Sequence, residues 1–268
     1  MPPGGCQLLR ADRVLWRQIT IKIIDLGING LGLGRDSCRV SPWSYTAFVP
    51  DLFHSDANQR LPASDADLIY RSCLELGAPT GAVLRELIER TPWRAESVVV
   101  WGKPYLQPRL TAWYGDEDAR YEYSGLELEP LPWTPRLLAI KATVERTAGS
   151  RFNSVLLNYY RNERDSMGMH SDDEPELGAE PVIASLSLGE ARTLVFRHRH
   201  DHSRKSIRIE LGDGSLLLMR GATQRNWKHG IAKERHPCGA RVNLTFRRII
   251  QRPASRQASR SRPASAPR

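Results

Sequence analysis

The second half of the chain is dominated by short segments in which apolar and polar residues alternate. Such period-two patterning is typical of β-strands with one buried face. It occurs in residues 152–160, 182–188, 193–199, 206–211, 215–219 and 241–249. Between two of these segments, Asp213-Gly214 predicts a hairpin turn. Because isolated short strands bury little apolar surface, the pattern favours a closed or double-layered β core.

The first half of the chain predicts helices, together with short β-like runs at residues 97–101 and 109–114. Apolar residues recur at helical spacing in residues 65–76, 81–90 and 135–147. Ser64 is expected to cap the first helix, and Thr80 the second. Helices followed by a run of strands predict an α+β fold, and a chain of 268 residues is long enough for one sizeable core.

Charge and composition separate a central domain from the two ends of the chain. The net charge is +9, and residues 251–268 contain five Arg and no acidic residue. Residues 1–40 show no clear periodicity. We therefore predict one domain over residues 41–250, an N-terminal extension of uncertain order and a disordered Arg-rich tail. The tail suits either a solvated extension or a polyanion partner.

The sequence predicts neither secretion nor membrane insertion. The most apolar N-terminal stretch, residues 19–33, is interrupted by Lys22, Asp25 and Asn29. The four cysteines are scattered without a C-x-x-C pair, which suits a reducing compartment. We expect a monomer in the cytoplasm, or in the nucleus of a eukaryote.

A possible metal-binding pattern lies among the predicted strands. His170 and Asp172 are two residues apart, so in an extended segment both side chains point the same way. A second histidine would complete the two-histidine, one-carboxylate set of non-haem Fe(II) oxygenases. His229 is favoured over His236, which lies in a loop beside a proline. A rival zinc site would use three alternating histidines, His198, His200 and His202. A solvated hairpin end explains that run better, because no Cys or Glu is nearby.

The last predicted strand places two arginines on one face. Its alternation groups four polar residues: Arg241, Asn243, Thr245 and Arg247. Inward-facing arginines are costly unless they pair with buried acidic groups or bind an anion. A small dicarboxylate held at both ends would satisfy them, with Asn158 and Tyr160 as further donors. Together with the metal pattern, such an anion site implies an Fe(II)/2-oxoglutarate oxygenase.

Four segments resemble the AlkB family of DNA and RNA dealkylases, in particular its bacterial AlkB-like and AlkB homologue 3 types. They are PRLTAWYGD, FNSVLLNYYRNERDSMGMHSDDEPELG, PVIASLSLGEARTLVFRHR and RVNLTFR. The resemblance runs from about residue 92 to residue 249. It implies a double-stranded β-helix, or jelly roll, over about residues 150–250, with flanking helices. It also implies an N-terminal nucleotide-recognition lid at about residues 100–125.

The resemblance assigns roles to individual residues. The Fe(II) ligands of the family fall on His170, Asp172 and His229. Its 2-oxoglutarate contacts fall on Asn158, Tyr160, Arg241, Asn243 and Arg247. Its base contacts fall on Arg109, Tyr123, Asp173 and Glu174. The alternative interpretation of this last group is a packing aromatic and a solvated acidic loop.

The activity implied is oxidative demethylation of N-alkylated bases such as 1-methyladenine and 3-methylcytosine. Iron-dependent hydroxylation of the alkyl group, with O2 and 2-oxoglutarate as co-substrates, releases formaldehyde. The acidic pair suits the positive charge of such bases, and single-stranded or flipped bases in DNA are the expected substrate. RNA, protein or a small molecule is the alternative substrate, and a non-catalytic jelly-roll binding module is a further alternative. Leu156, on the same predicted face as Asn158, is expected to line the cavity.

Overall fold

Antiparallel β-sheets form most of the structure. The computed structural model describes residues 58–100, 103–119, 121–123 and 126–250. Within them the strands are β1 (Gln59–Leu61), β2 (Asp67–Arg71), β3 (Ser97–Val100), β4 (Lys103–Leu106), β5 (Leu110–Gly115), β6 (Tyr121–Tyr123), β7 (Leu126–Leu128), β8 (Ser154–Tyr160), β9 (Met167–His170), β10 (Ile183–Gly189), β11 (Arg192–His198), β12 (Ile207–Leu211), β13 (Leu216–Arg220), β14 (Trp227–Ile231) and β15 (Arg241–Arg247). The helices are α1 (Thr80–Arg90), α2 (Pro135–Ala148) and α3 (Thr223–Asn226), with a 3-10 helix at Pro175–Leu177.

Two sheets pack against each other through apolar side chains. The large sheet has the order β1-β2-β13-β10-β15-β8-β5, and the small sheet has the order β12-β11-β14-β9. Strand pairs within both sheets are antiparallel. One buried cluster joins Leu217 and Met219 of the large sheet to Phe196 and Trp227 of the small sheet. This double-layered arrangement confirms the predicted α+β jelly-roll class.

Two helices cover the outer face of the large sheet. Val83 and Leu87 of α1 and Leu137 of α2 belong to one apolar cluster with side chains of β8, β10 and β15. Helix α2 starts as its sequence predicts, because the Thr134 hydroxyl accepts a hydrogen bond from the Leu137 amide at 3.2 Å. Helix α1 contains the predicted segment, but Thr80 does not cap it. The Thr80 hydroxyl instead donates to Asp213 Oδ2 at 2.5 Å.

Strand β15 confirms the predicted division into a polar and an apolar face. Val242, Leu244 and Phe246 are fully buried in the cluster beneath the helices. The alternate residues line a cavity between the two sheets: Arg241, Asn243, Thr245 and Arg247. The strand therefore presents its polar residues toward the interior of the jelly roll.

The helix predicted over residues 65–76 is wrong. This segment contains strand β2, which pairs with β13. Asp65 has a φ of 58°, which no α-helix start accommodates. Leu68 faces the cluster between the sheets, whereas Ile69 packs against the cluster under the helices. Adjacent residues thus point to opposite sides, as in a strand.

The turn predicted at Asp213-Gly214 forms, but the hairpin does not. It joins β12 of the small sheet to β13 of the large sheet, so the chain crosses between the two layers. Gly214 has a φ of 77°, which suits a turn. The Gly214 amide donates to Ser187 O at 2.8 Å, and Asp213 Oδ1 accepts from the Gly189 amide at 2.8 Å. These contacts to another segment hold the turn at the corner of the jelly roll.

The predicted lid region contains two small hairpins. Strands β3 and β4 form one two-stranded sheet, and β6 and β7 form the other. The predicted extension over residues 1–40 and the tail over residues 251–268 lie outside the described residues. In the described part of the chain, no helix has both the length and the apolar character needed to cross a membrane.

Candidate active site

Three predicted metal ligands converge between two neighbouring strands. His170 at the end of β9 is paired in register with His229 of β14, and Asp172 follows two residues after His170. Each of the three residues offers a ligand atom within 4.8 Å of the other two. Asp172 Oδ1 lies 3.8 Å from His170 Nε2, and Asp172 Oδ2 lies 4.0 Å from His229 Nε2. Antiparallel pairing therefore brings together histidines that are far apart in the sequence.

The protonation state of this group suits metal binding. Burial, together with the charge of His170, lowers the pKa of His229 to about 3, so its imidazole is neutral at physiological pH. Burial opposes ionisation of Asp172, but Arg247, His229 and His170 outweigh it and lower the pKa of the carboxyl group. The group therefore presents an ionised carboxylate and at least one neutral imidazole.

Hydrogen bonding orients the group and leaves buried atoms for a further partner. His170 Nδ1 contacts Gly168 O at 2.9 Å, so Nδ1 carries the proton and Nε2 faces Asp172. Within the described structure, Asp172 Oδ2 and His229 Nδ1 are buried and have no hydrogen-bond partner. Two imidazoles and one carboxylate form a donor set that Fe(II) accepts with coordination positions to spare. The residues therefore fit a bound Fe(II).

Arg247 lies directly beside the predicted metal ligands. Its Nη2 donates to Asp172 Oδ1 at 2.6 Å, and both side chains are largely buried. Arg247 Nε is buried without a hydrogen-bond partner in the described residues. Arg247 therefore pairs with a buried acidic residue, which is one of the two alternatives that the sequence left open for the inward arginines.

Arg241 has a different environment from Arg247. It is fully buried, and its Nη2 donates to Ser187 Oγ at 2.9 Å. Its Nε and Nη1 are buried and find no hydrogen-bond partner in the part of the chain that the structure describes. The guanidinium carbon lies 5.1 Å from the ring centroid of Tyr160. Burial lowers the pKa of Arg241 to about 10. A buried cation with open donors is suited to an anionic ligand.

The remaining predicted 2-oxoglutarate contacts are not equivalent. Tyr160 and Asn243 line the cavity. Both ends of the Asn243 amide are already bonded: Nδ2 donates to Ser185 Oγ and Leu186 O, and Oδ1 accepts from Thr245. Direct contact between Asn243 and a ligand therefore requires one of these bonds to be exchanged.

Asn158 shares a face of β8 with Tyr160 but is not part of the cavity lining, and the same is true of Leu156. Asn158 Oδ1 accepts a hydrogen bond from Arg109 Nε at 2.7 Å. Because a guanidinium only donates, the amide oxygen must face Arg109 and the NH2 group must face away. Burial lowers the pKa of Arg109, whose side chain is buried beside this amide. The structure thus places Arg109, a predicted base contact, against a predicted co-substrate contact.

The predicted acidic pair is divided between two environments. Asp173 is exposed and forms a close ion pair with Arg199. Glu174 is partly buried, and its Oε2 has no hydrogen-bond partner among the described residues. Burial raises the pKa of Glu174; Arg247 opposes this shift, and Asp172 reinforces it. Tyr123 lies in β6, but its side chain is outside the described part of the structure.

The rival histidines do not assemble a second site. His198 Nδ1 accepts from the backbone amides of His200 and Asp201, and its ring packs edge-on against Trp227 at 5.0 Å. His236 is exposed. In the residues that the structure describes, His170, Asp172 and His229 form the one group of three potential metal ligands.

Sequence reasoning missed several residues that support the site. Gln224 of α3 is buried, and its Oε1 accepts from the Asp172 amide at 3.0 Å. Nothing in its four-residue helix signals this contact. Arg192 is buried beside Tyr160, and its guanidinium carbon lies 5.7 Å from the centroid of the tyrosine ring. The sequence could have predicted this position, because Arg192 lies on the same face of its strand as the inward residues Leu194 and Phe196.

Comparisons with known proteins agree with this geometry. The family model described as the 2OG-Fe(II) oxygenase superfamily matches residues 78–247. The chain is 44% identical to human alpha-ketoglutarate-dependent dioxygenase alkB homolog 3 over 179 residues, which is 64% of this chain and 62% of that protein. It is 37% identical to DNA oxidative demethylase ALKBH2 of Mus musculus over 193 residues, which is 70% of this chain and 76% of that protein.

The chain therefore spans about three fifths of the length of the alkB homolog 3 relatives. A solved structure of OsALKBH1 superposes with a TM-score of 0.50 at 16% identity, covering 72% of this chain and 100% of that one. At this identity the superposition supports the fold alone. The family-model match and the identity to ALKBH2 show that the chain belongs to the 2OG-Fe(II) oxygenase superfamily and, within it, to the AlkB family.

Proposed function

We propose that the chain is an Fe(II)/2-oxoglutarate-dependent dioxygenase that demethylates N-alkylated bases in DNA. The substrates would be bases of the 1-methyladenine and 3-methylcytosine type. One observation carries the proposal: His170, Asp172 and His229 converge within 4.8 Å beside a cavity lined by Arg241 and Arg247. Relatives named as an alpha-ketoglutarate-dependent dioxygenase and a DNA oxidative demethylase support the choice of co-substrate and substrate.

The proposed metal ligands are His170, Asp172 and His229. When bound, Fe(II) together with 2-oxoglutarate and O2 supplies the oxidising capacity that hydroxylates the N-alkyl carbon. The hydroxylated alkyl group then leaves as formaldehyde, and the base recovers its unmodified form. Gln224 holds the backbone of Asp172 in place through a hydrogen bond of 3.0 Å, which keeps the carboxylate directed toward the histidines.

The two arginines suggest an orientation for 2-oxoglutarate. Arg247 contacts Asp172, so it would bind the carboxylate nearer the metal. Arg241 lies at the opposite end of β15 on the same face, so it would bind the distal carboxylate. Tyr160, against the Arg241 guanidinium, would complete the distal end. Asn158, oriented by Arg109, would direct its NH2 group toward the same anion.

The base is proposed to bind beside the acidic pair. Because Asp173 is paired with Arg199, the carboxylate of Glu174 is the better candidate to face a positively charged methylated base. Its buried and unpartnered Oε2 would gain a compensating charge from that base. Tyr123 is proposed to stack on the base. Arg109 is proposed to lie near the base while its guanidinium group orients the Asn158 amide.

The test is single turnover with defined oligonucleotides. The protein is loaded anaerobically with Fe(II) and 2-oxoglutarate, then mixed with O2 and DNA that carries 1-methyladenine or 3-methylcytosine. Mass spectrometry should show loss of the methyl group, with one formaldehyde and one succinate formed for each repaired base. His170→Ala and Asp172→Ala should abolish repair, whereas His236→Ala, at an exposed position, should not.

Two results would change the assignment. Repair that survives His170→Ala or Asp172→Ala would remove these residues from the metal site. Faster repair of methylated RNA than of methylated DNA would make RNA the substrate. Size-exclusion chromatography of the same preparation tests the proposed monomeric state.

A further inference from the structure

Two buried guanidinium groups lie against the ring of Tyr160. The guanidinium carbon of Arg241 is 5.1 Å from the ring centroid, and that of Arg192 is 5.7 Å from it. Arg241 is 0% exposed and Arg192 is 1% exposed. The first arginine lines the cavity, whereas the second lies behind it on β11. The proposed distal carboxylate site therefore has two fixed positive charges nearby.

The neighbours of Arg192 fix its position but neutralise its charge only in part. Its Nη2 donates to the carbonyl oxygens of Asp165 and Ala232 at 3.0 and 2.6 Å. Its Nε donates to Glu234 Oε1 at 3.0 Å, and the Glu234 side chain is 41% exposed. Solvent screens the charge of such an exposed partner. Arg192 Nη1 is buried and without a hydrogen-bond partner in the described residues.

A second acidic residue beside Arg192, Asp165, has its carboxylate committed elsewhere. Asp165 Oδ2 accepts from Arg161 Nε at 2.8 Å, and Asp165 Oδ1 accepts from Arg161 Nη2 at 2.9 Å. Arg192 meets the Asp165 backbone oxygen instead. The surroundings of Tyr160 therefore carry an excess of positive charge when no anion is bound.

We propose that Arg192 is a positioning residue that selects a keto acid with two carboxylates. This inference rests on the proposed function, and it adds to that function a residue outside the cavity lining. Arg192 supports the ring of Tyr160 from behind and adds a second cation to the field of Arg241. A monocarboxylic 2-oxo acid lacks the group on which that field acts. Arg192 thus favours 2-oxoglutarate over keto acids without a distal carboxylate.

The test compares two keto acids in binding and in turnover. Dissociation constants for 2-oxoglutarate and for 2-oxobutanoate are measured by anaerobic calorimetry with Mn(II) in place of Fe(II). Removing one cation at this range should weaken 2-oxoglutarate binding by about tenfold in R192M, with little effect on 2-oxobutanoate. R192K, which keeps the charge, should restore most of the lost affinity. In turnover, R192M should raise the KM for 2-oxoglutarate and leave kcat within about twofold.

A second substitution keeps the inference testable if R192M fails to fold, as a thermal melt would show. Glu234→Gln removes the neighbouring negative charge but retains an oxygen that accepts from Arg192. It should tighten 2-oxoglutarate binding by about twofold to fivefold. Glu86→Gln is the matched control, because Glu86 also pairs with an arginine and has a partly exposed side chain, but lies on helix α1.

The outcomes separate the two proposals. A wild-type protein that does not bind 2-oxoglutarate overturns the proposed function and this inference with it. A wild-type protein that binds 2-oxoglutarate, with R192M binding it equally well, overturns the role of Arg192 alone. Equal losses for both keto acids in R192M, or no difference between Glu234→Gln and Glu86→Gln, would also refute selection by charge.

Discussion

Replacing Arg241 by Met should stabilise the ligand-free protein while it abolishes binding of 2-oxoglutarate. Arg241 is fully buried, and two of its three nitrogen atoms have no hydrogen-bond partner among the described residues. Burial lowers its pKa from the usual arginine value to about 10; Tyr160 opposes this shift, and the charge of Arg192 assists it. The folded protein therefore holds this cation at a cost that a bound anion would offset.

The size of the expected stabilisation follows from the lowered pKa of Arg241. A shift of this size corresponds to about 3 kcal/mol against the charged form in the folded state. At neutral pH the guanidinium is charged in both the folded and the unfolded chain, so the cost lowers the free energy of unfolding. Losing the bond to Ser187 offsets about 1 kcal/mol of the gain. The net stabilisation of about 2 kcal/mol should raise the Tm by about 4 to 8 °C.

Differential scanning calorimetry tests both halves of this prediction. Without metal or keto acid, Arg241→Met should melt at a higher temperature than the wild type. When Mn(II) is present throughout, addition of 2-oxoglutarate should raise the Tm of the wild type but not that of the variant. Arg136→Met is the control, because Arg136 is paired with Glu86 near the surface and its loss should not stabilise the fold. A lower Tm for ligand-free Arg241→Met would refute the reasoning that this cation is uncompensated.

Two further substitutions test the support of the site and the corner of the fold. Arg109→Leu should raise the KM for 2-oxoglutarate by about tenfold, because Asn158 loses the donor that orients its amide; an unchanged KM would show that other contacts orient it. Gly189→Ala should lower the free energy of unfolding, measured in urea, by about 2 kcal/mol or more. Gly189 has a φ of 90°, and an added Cβ would lie 2.4 Å from Ala240 O. Gly212→Ala, where an added Cβ meets nothing within 4 Å, is the control, and equal losses in the two variants would contradict the steric argument.

The polar face of β15 was predictable from sequence because side chains alternate between the two faces of a strand, and this alternation does not depend on distant contacts. Arg241 and Arg247 are an even number of residues apart, so an extended backbone places both on one face whatever the rest of the fold does. The same reasoning correctly grouped Asn158 with Tyr160 on β8. It could not reveal that Asn158 faces Arg109, because that contact joins residues 49 positions apart in the sequence.

Strand β2 shows where local patterns fail. The segment around Leu68 has apolar residues that suit a helix, and its identity as a strand depends on pairing with β13. That pairing is reinforced by Asp67, which accepts from Arg220 at 3.1 Å across 153 residues. No window of sequence contains both partners. The crossing of the chain between the sheets at Asp213-Gly214 depends on distant contacts in the same way.

The contrast between Arg241 and Arg247 resolves the choice that the sequence left open for the two inward arginines. Arg247 is compensated in the ligand-free protein, because its guanidinium donates to Asp172 at 2.6 Å. Arg241 has no such partner in the described residues. A dicarboxylate therefore gains less at the Arg247 end, where it competes with an existing ion pair, than at the Arg241 end. Of the two arginine contacts, the one at the distal carboxylate should consequently contribute more to 2-oxoglutarate binding, and this is the end at which we propose that Arg192 adds its charge.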